Sequence, residues 1–137
     1  MKILFVGLSN KPGLEPFSAK TNSGKIVDKI IGSLDHECYK INLVGYAPMG
    51  ENNKLRYPTK AEIKDSLPNF LGYVDNLSPD LIVSFGGIAS DTIKKINVLN
   101  CKVIYKQHPS YIYVYKRNYV DEYAREIVID INKYLYI

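Results

Sequence analysis

The chain has 137 residues and a mass of 15.6 kDa, enough for one domain with a buried core and too little for two ordinary domains joined by a linker. Hydrophobic residues at 46% and charged residues at 23% exclude a disordered or collagen-like chain. A net charge of +4 and a pI of about 8.9 admit a polyanionic partner without requiring one.

Met1 to Gly7 holds only a short apolar run. A membrane span needs about 20 apolar residues and a secretory leader a longer apolar core, so a soluble, cytoplasmic protein is expected. Ile3 to Val6 reads as a first strand, and Lys25 to Leu34 as a helix with Ile26, Ile30 and Leu34 four apart and Val27 and Ile31 beside them. Tyr39 to Val44 reads as a second strand. Thr59, with Glu62 three residues on, has the pattern of a capping box. It opens a helix towards Leu77 that Pro68 is expected to kink or split. Leu81 to Phe85 is a third strand, Ala89 to Ile96 a third helix, Lys102 to Tyr105 a fourth strand and Val120 to Tyr134 a last helix.

The four strand segments are mostly continuous in apolar character, which is how strands buried on both faces read. Strand followed by helix four times over predicts an α/β fold, a three-layer α/β/α arrangement around a central four-stranded, mostly parallel sheet, with residues 1–137 as a single domain. Ligands of such sheets bind beyond the carboxyl ends of the strands. The loops to inspect are therefore Gly7 to Gly13, Gly45 to Gly50, Gly86-Gly87 and Gln107 to Ser110.

The first loop has glycines at 7 and 13 but neither the Gly-Lys-Ser/Thr of a P-loop nor Gly-x-Gly-x-x-Gly. By itself it reads as a tight strand-to-helix turn or as a ligand-facing loop. His108 lies in a small-residue loop at a strand's carboxyl end, where it serves either as a structural side chain or as an acid, base or donor with a pKa near neutrality. His36, between Asp35 and Glu37, reads as ordinary surface. Of the twelve tyrosines, eight lie at or after Tyr105, and Lys102 to Val120 interleaves Tyr105, Tyr111, Tyr113, Tyr115 and Tyr119 with Lys102, Lys106, Lys116 and Arg117, without an acidic residue. That is either a nucleic-acid surface of phosphate-binding cations and base-stacking rings or a tyrosine-rich strand and loop. Cys38 and Cys101 are too few for a disulfide framework or a four-thiolate site and read as two reduced thiols.

Taken together the loops resemble the uracil-DNA glycosylase superfamily, most closely its family 4-like and single-strand-selective branches. Leu4-Phe5-Val6-Gly7 with Asn10-Lys11-Pro12-Gly13 looks like the first motif, with Asn in place of its acidic residue. Pro16-Phe17 and Ser23-Gly24-Lys25 with Asp28 are similar to the Pro-Phe and helix-start pieces. Tyr39 to Val44, Ala47-Pro48, Arg56 to Thr59 and Glu62 resemble the second-strand segment, Pro79 to Val83 with Gly86 and Ala89 the third strand, and His108-Pro109-Ser110 the last motif.

The resemblance implies hydrolysis of the N-glycosidic bond of uracil or a related pyrimidine flipped out of DNA, by a monomer, without a membrane. Asn10 would help place the attacking water and His108 would donate to the base oxygen that gains charge. Phe17 would stack on the base, Asn42 would hydrogen-bond its edge, and Gly7 and Ser110 complete the substrate site, while Tyr111, Lys116 and Arg117 would meet DNA. The cluster cysteines of family 4 are absent, so neither an iron–sulfur centre nor any other metal or cofactor is expected. A DNA-binding module without catalysis and an enzyme acting on free nucleosides or nucleotides are the competing readings.

Overall fold

Residues 1–96 and 99–136 are described by a computed structural model of the chain. Four strands, β1 (Lys2–Ser9), β2 (Glu37–Val44), β3 (Leu81–Phe85) and β4 (Lys102–Lys106), form one sheet. Their order is β2-β1-β3-β4 and every neighbouring pair is parallel. The helices are α1 (Asn22–Gly32), α2 (Lys60–Leu77), α3 (Gly87–Lys94), α4 (Pro109–Tyr115) and α5 (Val120–Leu135), with short 3-10 turns at Glu51–Asn53 and Arg117–Tyr119.

Side chains alternate across a strand, so each strand feeds two cores. Ile3 and Phe5 of β1 and Leu81, Val83 and Phe85 of β3 pack with Ile26, Val27 and Ile30 of α1, Ile112 of α4, and Tyr123, Ala124, Ile127 and Ile131 of α5. Leu4 and Val6 of β1 and Ile82 of β3 pack instead with Phe70 and Val74 of α2 and Ala89 and Ile93 of α3. The expected three layers are present, with α1, α4 and α5 on one face and α2 and α3 on the other. Cys38 and Cys101 are both half-buried free thiols, one packed against each core and near opposite edges of the sheet.

Two expectations need correction. Helix α2 is not split at Pro68. Thr59 Oγ1 accepts from Glu62 N at 3.1 Å and Thr59 N donates to Glu62 Oε1 at 2.9 Å, which fixes the start of the helix. Pro68 and Lys64, whose carbonyl loses its helical donor, are both exposed, so water can satisfy the freed oxygen. The segment after His108 is a helix rather than a strand and loop. His108 is its N-cap and Pro109 occupies the first turn, where a missing N–H costs nothing.

The chain passes from β1 outward to β2, then crosses to β3 on the other side of β1. That reversal leaves a crevice at the carboxyl ends of the strands. The loops carrying Gly7 to Phe17, Asn42, Gly86 and His108 meet there.

Candidate active site

The first strand ends beside the second, with Gly7 paired to Asn42. Gly7 is needed for close approach: a Cβ there would lie 2.4 Å from Asn42 Oδ1 and 2.8 Å from Phe17 Cζ. Asn42 is buried, and its Nδ2 donates to Asn10 Oδ1 at 2.7 Å. Asn10 Nδ2 in turn donates to the Gly45 carbonyl at 3.2 Å. A carbonyl can only accept, so this relay sets the orientation of both amides. It leaves Asn42 Oδ1 as an acceptor on the side of Gly7 and Phe17.

Asn10 is expected from the sequence at the attacking water, yet both ends of its amide are engaged, its backbone N–H is bonded to Tyr46 O at 3.2 Å, and it is not among the residues lining the cleft. Its observed contacts orient Asn42.

Phe17 is buried and has φ 50°, a left-handed conformation that bulky residues seldom adopt. Such a backbone costs on the order of 1–3 kcal/mol and persists where its surroundings fix it. Its ring packs edge-on to Phe85 with centroids 5.5 Å apart and lies nearly parallel to the His108 ring at 5.8 Å and 26°.

His108 follows β4, and its loop is held by Tyr123 of α5, whose hydroxyl donates to the Gln107 carbonyl at 2.5 Å. Gly86, at φ 92°, passes alongside, and a Cβ there would touch the His108 side chain at 3.6 Å. The backbone N–H of Ser110 donates to His108 Nδ1 at 3.1 Å, and the Ser110 hydroxyl lies 2.8 Å from the same nitrogen. An N–H can only donate, so Nδ1 is the unprotonated nitrogen and the neutral ring carries its hydrogen on Nε2. Burial, with a smaller contribution from the Lys11 ammonium, lowers the His108 pKa to about 4. At neutral pH the ring is therefore an uncharged donor. Nε2 has no hydrogen-bond partner among the described residues, and no side-chain polar atom there is both fully buried and unpaired, so this N–H opens to the cleft.

A cleft of about 650 Å³ joins these groups. Of the residues expected from the sequence, Phe17, Asn42, His108, Ser110 and Tyr111 line it; Gly7 and Asn10 stand behind Asn42 and Phe17. Helical periodicity divides the tyrosines of α4. Tyr111 and Tyr115 are one turn apart, with ring centroids at 5.0 Å, and face the cleft with Val114. Tyr113 points to α1 instead, and Arg117 goes with it, its guanidinium 4.1 Å over the Tyr113 ring. Lys116 is exposed and lies 5.9 Å over the Tyr111 ring, outside the cleft lining.

The rest of the basic–aromatic segment is engaged in the fold. Lys106 pairs with Asp130, Tyr119 with Glu126, and Lys102 Nζ donates to Tyr134 O. The opposite lip is Leu55, Arg56 and Tyr57, held by an antiparallel bridge between Met49 and Leu55. Arg56 is forked onto Glu62, at 2.6 and 3.3 Å, which holds that carboxyl down at about 2. Sequence reasoning gave no role to this lip, to Lys11 or to Tyr123. Among the described residues no group of three or more His, Cys, Asp or Glu side chains is arranged to hold a metal ion.

The family model described as the uracil DNA glycosylase superfamily matches residues 1–132. The chain belongs to the uracil-DNA glycosylase superfamily. Among solved structures, this superfamily member is similar to wild-type SMUG2 of Pedobacter heparinus, with a TM-score of 0.72 and 15% identity over 96% of this chain and 75% of that one. At that identity the likeness concerns the fold. No curated protein matches this superfamily member. Among its described residues, no helix is long and apolar enough to cross a membrane.

Proposed function

We propose that the chain is a monofunctional DNA glycosylase that hydrolyses the N-glycosidic bond of uracil or a related pyrimidine flipped out of DNA, leaving an abasic site. The observation that carries this reading is His108: a neutral imidazole whose Nδ1 is committed to Ser110, so that an Nε2–H donor opens onto the cleft lined by Phe17 and Asn42.

Breaking the bond between the sugar and the base leaves the electron pair on the base and positive charge on the sugar. An N–H donor in a cleft, aimed at the base oxygen that gains charge, stabilises this departure most in the transition state. Asn42 Oδ1 accepts from the ring N–H of a uracil-type base, a group that cytosine lacks at that position. Phe17 supplies a stacking face. Asn10 keeps the Asn42 amide turned the right way. Water then adds its oxygen to the sugar and releases its proton to solvent. Asn10 is an amide and cannot take that proton, so the reaction relies on leaving-group stabilisation.

DNA is the partner, and the chain acts as a single, monomeric domain. Tyr111 and Tyr115 at the mouth stack on neighbouring bases, Lys116 meets phosphate, and Arg117 adds charge further along.

The test is excision from oligonucleotides carrying uracil or 5-substituted pyrimidines, single- and double-stranded, read as alkali-labile sites. His108→Ala should lose about 10²–10³-fold in rate. No excision from any strand of the panel refutes the reading.

A further inference from the structure

The left-handed backbone at Phe17 is held from two sides. Its carbonyl accepts a hydrogen bond from Lys40 Nζ at 3.0 Å, and the same ammonium is paired with Asp28 of α1. The next carbonyl, Ser18 O, accepts from Thr21 N at 2.9 Å and Thr21 Oγ1 at 2.8 Å. Gly24 lets α1 approach both: a Cβ there would lie 1.8 Å from Ser18 O and 2.5 Å from Phe17 O. Thr21 and Gly24 thus fix the far end of the turn, and Lys40 fixes Phe17 itself.

Lys40 stands two residues before Asn42 on β2, so both side chains lie on one face of the sheet, the face against which Phe17 packs. A single strand therefore carries the amide facing the cleft and the cation that holds the aromatic ring's backbone. The ion pair is half open to water, with side-chain exposures of 24% and 42%, and pairs of that kind add little to stability. What it does supply is geometry, because the ammonium bridges three elements at the residue whose backbone is strained.

Building on the function proposed above, we propose that Lys40 and Asp28 are positioning residues: Lys40, oriented by Asp28, holds the Phe17 backbone so that its ring presents the face on which the base stacks. They touch neither base nor sugar and act through Phe17.

The experiment uses the full chain with Lys40→Met, Lys40→Arg, Asp28→Asn and, as reference, Phe17→Leu. Ring position is read from the His108 Hε1 resonance, because the Phe17 ring lies nearly parallel to that imidazole at 5.8 Å. Lys40→Met and Asp28→Asn should move that line towards its position in Phe17→Leu. They should slow single-turnover excision by about tenfold to a hundredfold, as misplacement of a binding group does, with affinity for a uracil-free oligonucleotide unchanged. Lys40→Arg should recover both readouts. Thermal melts confirm folding, and should Lys40→Met not fold, Asp28→Asn decides alone.

An unmoved His108 line in folded variants overturns the proposal, as does a moved line with the excision rate unaltered. If the wild type excises nothing, the function proposed above is wrong. The resonances then decide by themselves whether the pair holds Phe17: an unmoved line overturns the clamp and a moved one upholds it.

Discussion

Lowering the pH from 7 to 5 should cost the folded chain about 2 kcal/mol through His108 alone. The ring has an ordinary pKa of 6.5 and one of about 4 in the fold, where burial and, less strongly, Lys11 oppose the imidazolium. At pH 5 the unfolded chain holds a proton on this residue and the folded chain does not. The folded state binds fewer protons, so stability falls as pH falls from 6.5 towards 4 and is complete above that window. The full difference amounts to about 3 kcal/mol, of which about 2 is lost by pH 5. Urea denaturation of the wild type and of His108→Gln at pH 7, 6 and 5 isolates this contribution, because Gln has nothing to titrate. The wild type should lose the extra 2 kcal/mol and the variant should not. Between pH 5 and 8 the ionisation of His108 should also leave no inflection in the excision rate. Parallel pH dependence of the two proteins, or a proton-resonance midpoint for His108 near 6.5, would refute the assignment of a neutral donor.

Gly7→Ala should cost about 1–3 kcal/mol in chemical denaturation, because the new methyl meets Asn42 Oδ1 and the Phe17 ring, both held in place. It should also depress excision by displacing both groups. Asn42→Leu removes the acceptor turned towards the base, and kcat/KM for uracil strands should fall about tenfold to a hundredfold. Tyr115→Ala should weaken single-strand binding in fluorescence anisotropy by about 1–3 kcal/mol for each base it stacks on. Lys116→Gln should instead reduce the slope of log affinity against log salt by about one, the mark of a lost phosphate contact.

Most of the scaffold was legible because β1 and β3 are buried on both faces and so have little room for polar residues. Their apolar runs, and the capping box at Thr59 with Glu62, stand out by local chemistry. Helix α4 did not stand out. Tyr111, Tyr113 and Tyr115 alternate with a period of two, like a strand, and only the completely buried Ile112 and the His108-Pro109 start make the helix. For the candidate site, His108 was visible as a rare residue at a strand end. Its tautomer was not, since that depends on a backbone N–H two residues away. The relay through Asn10 joins residues 32 positions apart, and the bond from Tyr123 to Gln107 joins residues 16 apart. Such contacts follow from the register of the sheet and the docking of α5, which no local pattern encodes. In the basic–aromatic segment the engagement of Lys106 and Tyr119 was equally hidden, because Asp130 and Glu126 come from another part of the chain.

The amide relay from Gly45 through Asn10 to Asn42 constrains how this site can evolve. Replacing Asn10 by the acidic residue that the resemblance leads one to expect would turn a carboxylate oxygen towards the Gly45 carbonyl, now 3.2 Å from a donating Nδ2. Two acceptors would then oppose each other where one bond had been. Asn42 Nδ2 would still donate to the carboxylate, so the loss falls on the Gly45 end of the relay. An acid at position 10 is therefore epistatic with the turn after β2: it is accommodated without that repulsion only once the Gly45 carbonyl has turned away.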